Sequence, residues 1–266
     1  MRRGGEKLAL VQIISQQSIG ADIFELTLEA PVDLRVFPYE PGQFLHIRVT
    51  DSFDFLLRRP LSLCKVDLIK NHLSVVYRVQ GQGTRRLAAK RAGEILDVLG
   101  PLGHGYPKHK DDRAALLIGG GIGVPPLVEL ARQLRQDAQS VHTVVGFQTK
   151  AQAILVSELE TYGPVTVVTN DGSLGNHGLV TDVLTQAFCA DFDRYYACGP
   201  TPMLQAVQRR LSEWQLPGYL SLEERMGCGI GICVGCVHKI SRNGRIAQLK
   251  TCKEGPVFDA QEVVFT

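Results

Sequence analysis

The sequence has no marked excess of either charge and no long uninterrupted apolar run. Its 29 basic and 27 acidic residues give a formal net charge of +2, which provides no general attraction to nucleic acid or to an anionic membrane. The longest uncharged stretch, Ala114–Val128, contains four glycines and two prolines, whereas a spanning helix needs about 20 predominantly apolar residues. The charged start of the chain is followed by no secretory signal core. We therefore expect a soluble, cytoplasmic protein.

The sequence also has no internal repeats and no low-complexity tracts. Its histidines show no metal-ligand spacing, so cysteine is the residue type that carries metal-binding information. Of seven cysteines, Cys228, Cys233 and Cys236 lie within nine residues, and Cys252 follows sixteen residues later. In a chain without an export signal, clustered cysteines bind metal more often than they form disulfides. The remaining thiols, such as Cys64 and Cys189, are expected to be ordinary core or surface residues.

The first hundred residues predict a small antiparallel β-barrel. Short β-rich segments alternate there with turn residues such as Pro41-Gly42 and Asn71-His72, and no long helical pattern intervenes. One short helix is predicted over Thr84–Arg91. The predicted strands are Leu8–Ser15, Asp22–Glu29, Gln43–Thr50, Leu61–Val66, Leu73–Val79 and Ile95–Leu99.

The pattern changes after a linker over residues 100–113 that is rich in glycine, proline and charged residues. From Ala114 onward short apolar strands alternate with helical patterns, and this alternation predicts a doubly wound parallel sheet. The predicted strands are Ala114–Ile118, Val141–Phe147, Val165–Thr169, Arg194–Cys198 and Tyr219–Leu222. The predicted helices are Pro126–Gln136, Ala151–Tyr162, Leu179–Phe188 and Pro202–Gln215.

The last fifty residues are rich in glycine and cysteine and are too few to bury a core by themselves. We expect them to fold around whatever the cysteines bind. The predicted fold class is therefore a multidomain β plus α/β protein. It has an antiparallel barrel over residues 1–103, a doubly wound nucleotide domain over residues 112–216 and a small cysteine segment over residues 217–266.

The spacing of the clustered cysteines is the strongest functional signal. The run from Cys228 to Cys236, with Cys252 further on, has the C-x4-C-x2-C spacing and distant fourth cysteine of plant-type 2Fe–2S proteins. The intervening glycines let the backbone wrap closely and let amide N–H groups point at cluster sulfurs. A structural zinc site is the alternative, but zinc usually takes paired C-x2-C knuckles, and only one such pair is present.

A second signal lies in the barrel strands. Arg59-Pro60-Leu61-Ser62 begins one strand, Val76-Tyr77-Arg78 lies in the next, and Gly83-Thr84 opens the short helix. The set resembles the flavin site of the ferredoxin reductase superfamily. The resemblance implies that Arg59 neutralises the FAD pyrophosphate, that Ser62 lies near the flavin N5, and that the start of the helix holds phosphate. The alternative is a set of ordinary turns, with Thr84 as a helix cap.

Two loops follow strands of the α/β half. The first, from Gly119 to Pro126, contains Gly120, Gly121 and Gly123 and joins a strand to a helix, which is an arrangement that suits phosphate binding. The second, Cys198-Gly199-Pro200-Thr201-Pro202-Met203, follows the last central strand. Both resemble loops that face the nicotinamide nucleotide in the same superfamily. The resemblance implies that Cys198 lies near the nicotinamide and the flavin ring, whereas the alternative is a small buried core thiol.

The order of these motifs, together with the stretch from Glu223 to Val237, closely resembles the family of electron-transfer subunits of dihydroorotate dehydrogenase B. The resemblance implies FAD, a 2Fe–2S cluster held by Cys228, Cys233, Cys236 and Cys252, and NAD as a substrate. It also implies an FMN-containing catalytic partner that oxidises dihydroorotate in pyrimidine (UMP) biosynthesis. The expected assembly is a heterotetramer with two copies of each subunit.

Two other functions stay open from the sequence. The same layout fits a subunit of another NAD(P)H-dependent flavin and iron–sulfur reductase, of the ferredoxin, sulfide or hydrogenase type. A zinc-stabilised nucleotide-binding regulator is a further alternative. The residues themselves do not decide between NAD and NADP, since Gln148 and Lys150 lie where a 2′-phosphate could be sensed. The choice of NAD rests on the family resemblance.

Overall fold

The computed structural model describes residues 8–50, 55–242 and 244–265; the charged residues 1–7, discussed above for targeting, lie outside this part. The first six strands form a closed antiparallel barrel in the order β1-β2-β5-β4-β3-β6, which confirms the predicted barrel. One short helix, α1 (Gln82–Ala88), connects the last two strands. The barrel strands are β1 (Leu8–Gly20), β2 (Ile23–Glu29), β3 (Phe44–Arg48), β4 (Arg59–Asp67), β5 (His72–Arg78) and β6 (Ile95–Leu102).

Alternation of side chains along each strand separates the inside of the barrel from its outer face. On β3, Leu45 and Ile47 are fully buried in the apolar core of the barrel. Phe44 and His46 occupy the alternate positions, and Phe44 packs outward against the C-terminal segment. The outer face of β3 is therefore covered by the cysteine-containing part of the chain.

The second half of the chain forms a seven-stranded sheet in the order β10-β9-β8-β7-β11-β12-β15. All neighbouring strands are parallel except β12 and β15, so the predicted parallel sheet is confirmed. The strands are β7 (Ala114–Gly120), β8 (Ser140–Phe147), β9 (Val165–Thr169), β10 (Asn176–His177), β11 (Arg194–Cys198), β12 (Gly218–Ser221) and β15 (Val257–Asp259). The helices are α2 (Pro125–Gln136), α3 (Val156–Glu160), α4 (Val180–Val183), α5 (Gln186–Cys189) and α6 (Thr201–Glu213).

Two predicted helices are shorter in the structure. The one expected over Ala151–Tyr162 is a 3-10 turn over Lys150–Gln152 and then α3, because Leu155 adopts a left-handed conformation with φ of 60° and α-helical hydrogen bonding begins at its carbonyl oxygen. The one expected over Leu179–Phe188 is divided into α4 and α5. Thr185 separates them, since its side chain accepts a hydrogen bond from the Phe188 N–H and starts a new helix.

The C-terminal segment completes the sheet as well as carrying the cysteines. β12 pairs with β11, and β15 pairs with β12. Between them a hairpin of β13 (Val237–Arg242) and β14 (Arg245–Lys250) packs through the buried Ile240 onto the same core. The domain boundary at residue 217 stays a prediction. Strands from both sides of it, β11 before it and β12 after it, pair in one sheet.

Helix α2 joins the sheet to the barrel. Its apolar side contacts β4, and one core contains Cys64 and Val76 of the barrel together with Leu127 and other residues of α2. No helix in the described part of the chain is both long and apolar enough to cross a membrane.

Candidate functional site

A cleft of about 450 Å³ opens between the outer face of the barrel and the α/β domain. The predicted segments Arg59–Ser62 of β4 and Val76–Arg78 of β5 line it, together with Thr84 of α1. Its other wall combines the loop after β7 and the start of α2 with the segment that follows β12. The structure therefore brings the two predicted barrel motifs together on one surface, which we call the first cleft.

Arg59 lies beside the first turn of α1. Its guanidinium packs on Gly83 so closely that a Cβ on Gly83 would lie 2.5 Å from Nη2. Gly83 does not itself line the first cleft. Because it has no side chain, it leaves room for the guanidinium of Arg59. A helix start and a guanidinium both attract anions, and the first-turn N–H groups have no intrahelical acceptors. This corner of the cleft therefore suits a phosphate.

Thr84 has a more local role than the sequence suggested. Its hydroxyl accepts hydrogen bonds from the N–H groups of Gln80 at 3.1 Å and Gly81 at 3.2 Å, and it donates to the Gly81 oxygen at 3.1 Å. The capping alternative describes this hydroxyl. What the start of α1 offers a phosphate is therefore its first-turn N–H groups rather than the Thr84 hydroxyl.

The three predicted residues of β5 divide between the two faces of the strand. Tyr77 is 1% exposed, packs in the barrel core and donates from its hydroxyl to Gln16 Oε1 at 3.0 Å. Only its main chain can therefore reach a ligand in the first cleft. Val76 packs against α2 and also lines the first cleft, as does the partly exposed Arg78.

A second cleft of about 540 Å³ lies at the carboxyl ends of β7 and β11. The strand order reverses between these two strands, and such a switch point is where parallel sheets bind ligands. Gly120, Gly121 and Gly123 line this second cleft from the loop after β7, and Gly199 lines it from the loop after β11. Gln148 also lines it, whereas Lys150 does not.

The loops after β7 and β11 touch through glycine. A Cβ on Gly123 would lie 2.5 Å from the main-chain oxygen of Cys198 and 2.6 Å from its carbonyl carbon. Cys198 itself is 2% exposed and does not line either cleft. Burial raises its pKa to about 12, with Glu223 adding to the effect and Ser221 opposing it. The thiol is therefore neutral and lies beneath the clefts, and Gly199 is the member of this loop that borders the ligand space.

The two clefts share a wall. Arg78, Gln80, Ile122 and Glu223 border both of them. The carboxyl group of Glu223 has a pKa above its ordinary value because surrounding protein atoms desolvate it. Sequence reasoning named Arg78 but missed the other three as site residues. For Glu223 a signal was available, since it lies two residues after the end of β12 and the carboxyl ends of parallel strands gather functional groups.

The four clustered cysteines form two neighbouring pairs. The N–H of Cys233 donates to the Sγ of Cys228 at 3.4 Å, and the thiols of Cys236 and Cys252 interact with each other. Burial raises the pKa of Cys228, but N–H groups of the loop, including that of Cys233, outweigh it and leave the pKa at about 6. Burial and the Cys236 thiol raise the pKa of Cys252 to about 12.

This arrangement fits a two-iron cluster. Four thiolates are the ligand set of a 2Fe–2S cluster, and two pairs supply two ligands to each iron. In the part of the chain that the structure describes, no three His, Cys, Asp or Glu side chains are placed to hold one metal ion. The donor set is therefore better matched to a cluster than to a single zinc ion.

An apolar contact links the cysteines to the first cleft. Phe44 and Met226 both line this cleft, and both pack in one buried group with Cys236 and Cys252. The pair Cys236 and Cys252 is thus packed against side chains that line the first cleft. The cysteines, the first cleft and the second cleft follow one another in that order through the molecule.

Comparison with known proteins agrees with this geometry. Residues 223–264 match the iron–sulfur cluster binding domain of dihydroorotate dehydrogenase B, and residues 117–209 match the oxidoreductase NAD-binding domain. The dihydroorotate dehydrogenase B (NAD⁺) electron-transfer subunit of Geobacillus kaustophilus is 48% identical over 95% of this chain and 96% of its own length. That of Shouchella clausii is 44% identical over 97% of this chain and 99% of its own length.

Solved structures show the same fold. A structure of an NADH-dependent reduced ferredoxin-NADP oxidoreductase, described in terms of flavin-based electron bifurcation, has a TM-score of 0.83 and 31% identity over 98% of this chain and 91% of its own. The cytochrome b5 reductase domain of Ulva prolifera nitrate reductase has a TM-score of 0.65 at 18% identity over 79% of this chain and 94% of its own; this likeness shows the fold alone.

These matches confirm FAD, a 2Fe–2S cluster and NAD as the predicted cofactors, and they confirm an oxidoreductase that transfers electrons to NAD⁺. They favour iron and sulfide over the zinc alternative. The relatives' name, an electron-transfer subunit, implies a catalytic subunit of dihydroorotate dehydrogenase as the partner of those proteins. The chain belongs to the family of electron-transfer subunits of dihydroorotate dehydrogenase B.

Proposed function

We propose that the three sites form one relay, in which electrons enter at the cysteine segment, pass the first cleft and leave as a hydride in the second. The observation that carries this proposal is that neighbouring sites share residues: the cysteine segment shares some with the first cleft, and the first cleft shares others with the second. Phe44 and Met226 belong both to the first cleft and to the packing around the cysteines. Arg78 and Glu223 border both clefts. Ligands in adjacent sites would therefore be separated by about one side chain.

The first cleft is proposed to hold FAD. Arg59, Pro60, Leu61, Ser62, Val76, Tyr77 and Arg78 border the ligand, with Gly83 and Thr84 forming the helix start beneath Arg59. The guanidinium of Arg59 and the first-turn N–H groups of α1 neutralise the pyrophosphate. When bound, the flavin exchanges single electrons with a cluster and a hydride with a nicotinamide.

The second cleft is proposed to hold NAD. Gly120, Gly121, Gly123 and Gly199 allow the dinucleotide to approach the main chain of both loops. Cys198 supports these loops from below. Its buried thiol fills the space beneath the loops and, because it borders neither cleft, exchanges no proton with a ligand in the second cleft.

The cysteine pairs are proposed to ligate the cluster through Cys228, Cys233, Cys236 and Cys252. Around them the loop exposes three apolar side chains, with Ile230 47%, Ile232 79% and Val234 73% exposed. A contiguous exposed apolar patch of this kind marks a protein–protein contact. We propose that an FMN-containing dihydroorotate dehydrogenase subunit docks there, and that two copies of each subunit form a heterotetramer.

Substitution of Arg59 tests the flavin site. Arg59→Ala should purify with much less bound FAD, measured from the flavin absorbance per chain, while its iron content stays at the native level. Arg91→Ala is the matched control, because Arg91 is exposed and does not border the first cleft. Native FAD content in Arg59→Ala would contradict the assignment of the first cleft.

Reconstitution tests the complete relay. The chain mixed with an FMN-containing dihydroorotate dehydrogenase subunit should give dihydroorotate-dependent reduction of NAD⁺, which neither protein gives alone. Light scattering of the mixture should report a mass of two copies of each chain. A mixture that is inactive with dihydroorotate but reduces ferredoxin with NAD(P)H would favour the reductase alternative.

A further inference from the structure

His46 is buried at the centre of β3, between the strand that lines the first cleft and the cysteine segment. Its relative exposure is 0%, and its register partners are Pro60 on β4 and Leu99 on β6. Because its neighbours Leu45 and Ile47 point into the barrel, the imidazole points out of it. The outer face at this point is covered by the cysteine loop.

The contact between His46 and the cysteine loop is close. Gly229 directly follows Cys228, and a Cβ on Gly229 would lie 2.3 Å from His46 Nδ1 and 3.0 Å from Cε1. On the other side Leu99, the register partner of His46, packs in the buried group that contains Cys236 and Cys252. The imidazole therefore lies beneath the loop, with a neighbour next to each cysteine pair.

Neither ring nitrogen of His46 has a hydrogen-bond partner. Among the described residues six buried side-chain atoms lack partners. Three of them lie in or against the cysteine segment, namely both ring nitrogens of His46 and Oγ1 of Thr251, whereas a fourth, Nε2 of His238, lies 3.5 Å from the carboxylate of Glu224. Buried polar groups in folded proteins are nearly always paired, and an unpaired one calls for a specific explanation such as a bound ion. The concentration of unpaired atoms here indicates an acceptor that the polypeptide does not supply.

His46 can donate a hydrogen bond to such an acceptor whatever its charge, since an imidazole has an N–H on at least one ring nitrogen. Neither nitrogen is engaged by another group of the described chain.

We propose that His46 is a positioning residue for the iron–sulfur cluster, whose N–H donates a hydrogen bond to a sulfur held by the cysteine loop. Such a bond stabilises the reduced cluster more than the oxidised one, because reduction adds one negative charge, and it thereby raises the reduction potential. The proposal rests on the ligand assignment given above, and its tests separate the two.

The reduction potential of the cluster provides the first test. We expect His46→Leu, in the full chain with FAD and cluster bound, to shift the one-electron reduction equilibrium about tenfold toward the oxidised cluster, which equals about 59 mV. His46→Gln keeps an N–H donor and should lie closer to the native potential. His238→Gln is the matched control, because His238 has Glu224 at 3.5 Å and should leave the potential unchanged. A native potential in His46→Leu would overturn the proposal.

Pulsed electron paramagnetic resonance provides a second test, which does not depend on a change in the reduction potential of the cluster. The native chain is labelled with ¹⁵N-histidine and reduced with dithionite, and the spin-echo spectrum of the cluster should contain a weak ¹⁵N coupling. The coupling should persist in His238→Gln and disappear in His46→Gln. A loaded cluster without this coupling in the native chain overturns the role of His46 alone. A native chain that binds no iron overturns the ligand assignment, and this proposal with it.

Discussion

Replacement of Gly123 by alanine should damage the second cleft selectively. The added Cβ would lie 2.5 Å from the oxygen and 2.6 Å from the carbonyl carbon of Cys198, and 2.6 Å from the Cα of Gly199. All three are main-chain atoms, so no side-chain rotation relieves the overlap. The loops after β7 and β11 must separate, and overpacking of this kind costs about 1–3 kcal/mol.

This strain acts at the switch point where the nicotinamide nucleotide is proposed to bind. If 1.4 kcal/mol of it opposes binding, the affinity for NADH falls about tenfold. The half-saturating NADH concentration for reduction of ferricyanide should therefore rise by about this factor in Gly123→Ala. The flavin absorbance and iron content should stay native, because Gly123 borders only the second cleft.

Gly81 offers the matched control. A Cβ there would meet no atom within 4 Å, and the backbone φ of −150° is accessible to any residue. Gly81→Ala should therefore leave the NADH requirement unchanged. An unaltered NADH requirement in Gly123→Ala, or a loss of FAD as large as the loss of NADH affinity, would refute the reasoning.

Three further outcomes are expected. Cys252→Ser should lose iron and keep FAD, measured by metal analysis and absorbance, whereas Cys189→Ala, which alters a buried thiol in the core of the sheet, should keep both. The pKa of Glu223 lies above the ordinary 4.5 because nearby protein atoms desolvate its carboxyl group, but the side chain is exposed to the clefts, so solvent screens most of the effect on stability. Since that stability is lost as pH rises through the raised pKa, thermal unfolding should show Glu223→Gln equal to the native chain at pH 4 and only slightly more stable at pH 8. A chain without residues 217–266 should fail to unfold cooperatively, because the sheet then lacks β12 and β15 and the core lacks the residues that these strands bury in it.

The strands could be predicted more closely than the helices, for a local physical reason. Most strands of the barrel and the sheet are short β-rich runs bounded by turn residues, and each predicted strand overlaps an observed one. The short β10 and the last three strands of the C-terminal segment, β13, β14 and β15, were not predicted. The helices α3 and α4 are limited by single residues. The left-handed Leu155 and the capping side chain of Thr185 interrupt an otherwise helical pattern, and hydrophobic periodicity carries no information about either.

The site residues divide in a similar way. Cys228, Cys233 and Cys236 stand in one short motif with Cys252 further on, and their spacing made them candidates, whereas Arg59 became a candidate because its motif resembles a flavin site. Glu223 and Met226 occupy their positions only because β12 places the following segment against the barrel. His46 sits within an ordinary strand pattern, and its contact with Gly229 joins residues far apart in the chain. Such positions depend on tertiary packing, which local patterns do not encode.

The packing also shows that the cysteine segment is part of the α/β domain rather than a separately folded module. The segment is anchored at both ends, by β12 before the cysteine loop and by β15 after the last cysteine. Both anchors belong to the sheet whose helix α2 packs on the barrel. The distance between the cysteine pairs and the first cleft is therefore fixed by the core of the protein. Since electron transfer weakens steeply with distance, a segment fixed in this way keeps the relay intact without requiring the partner to hold it in place.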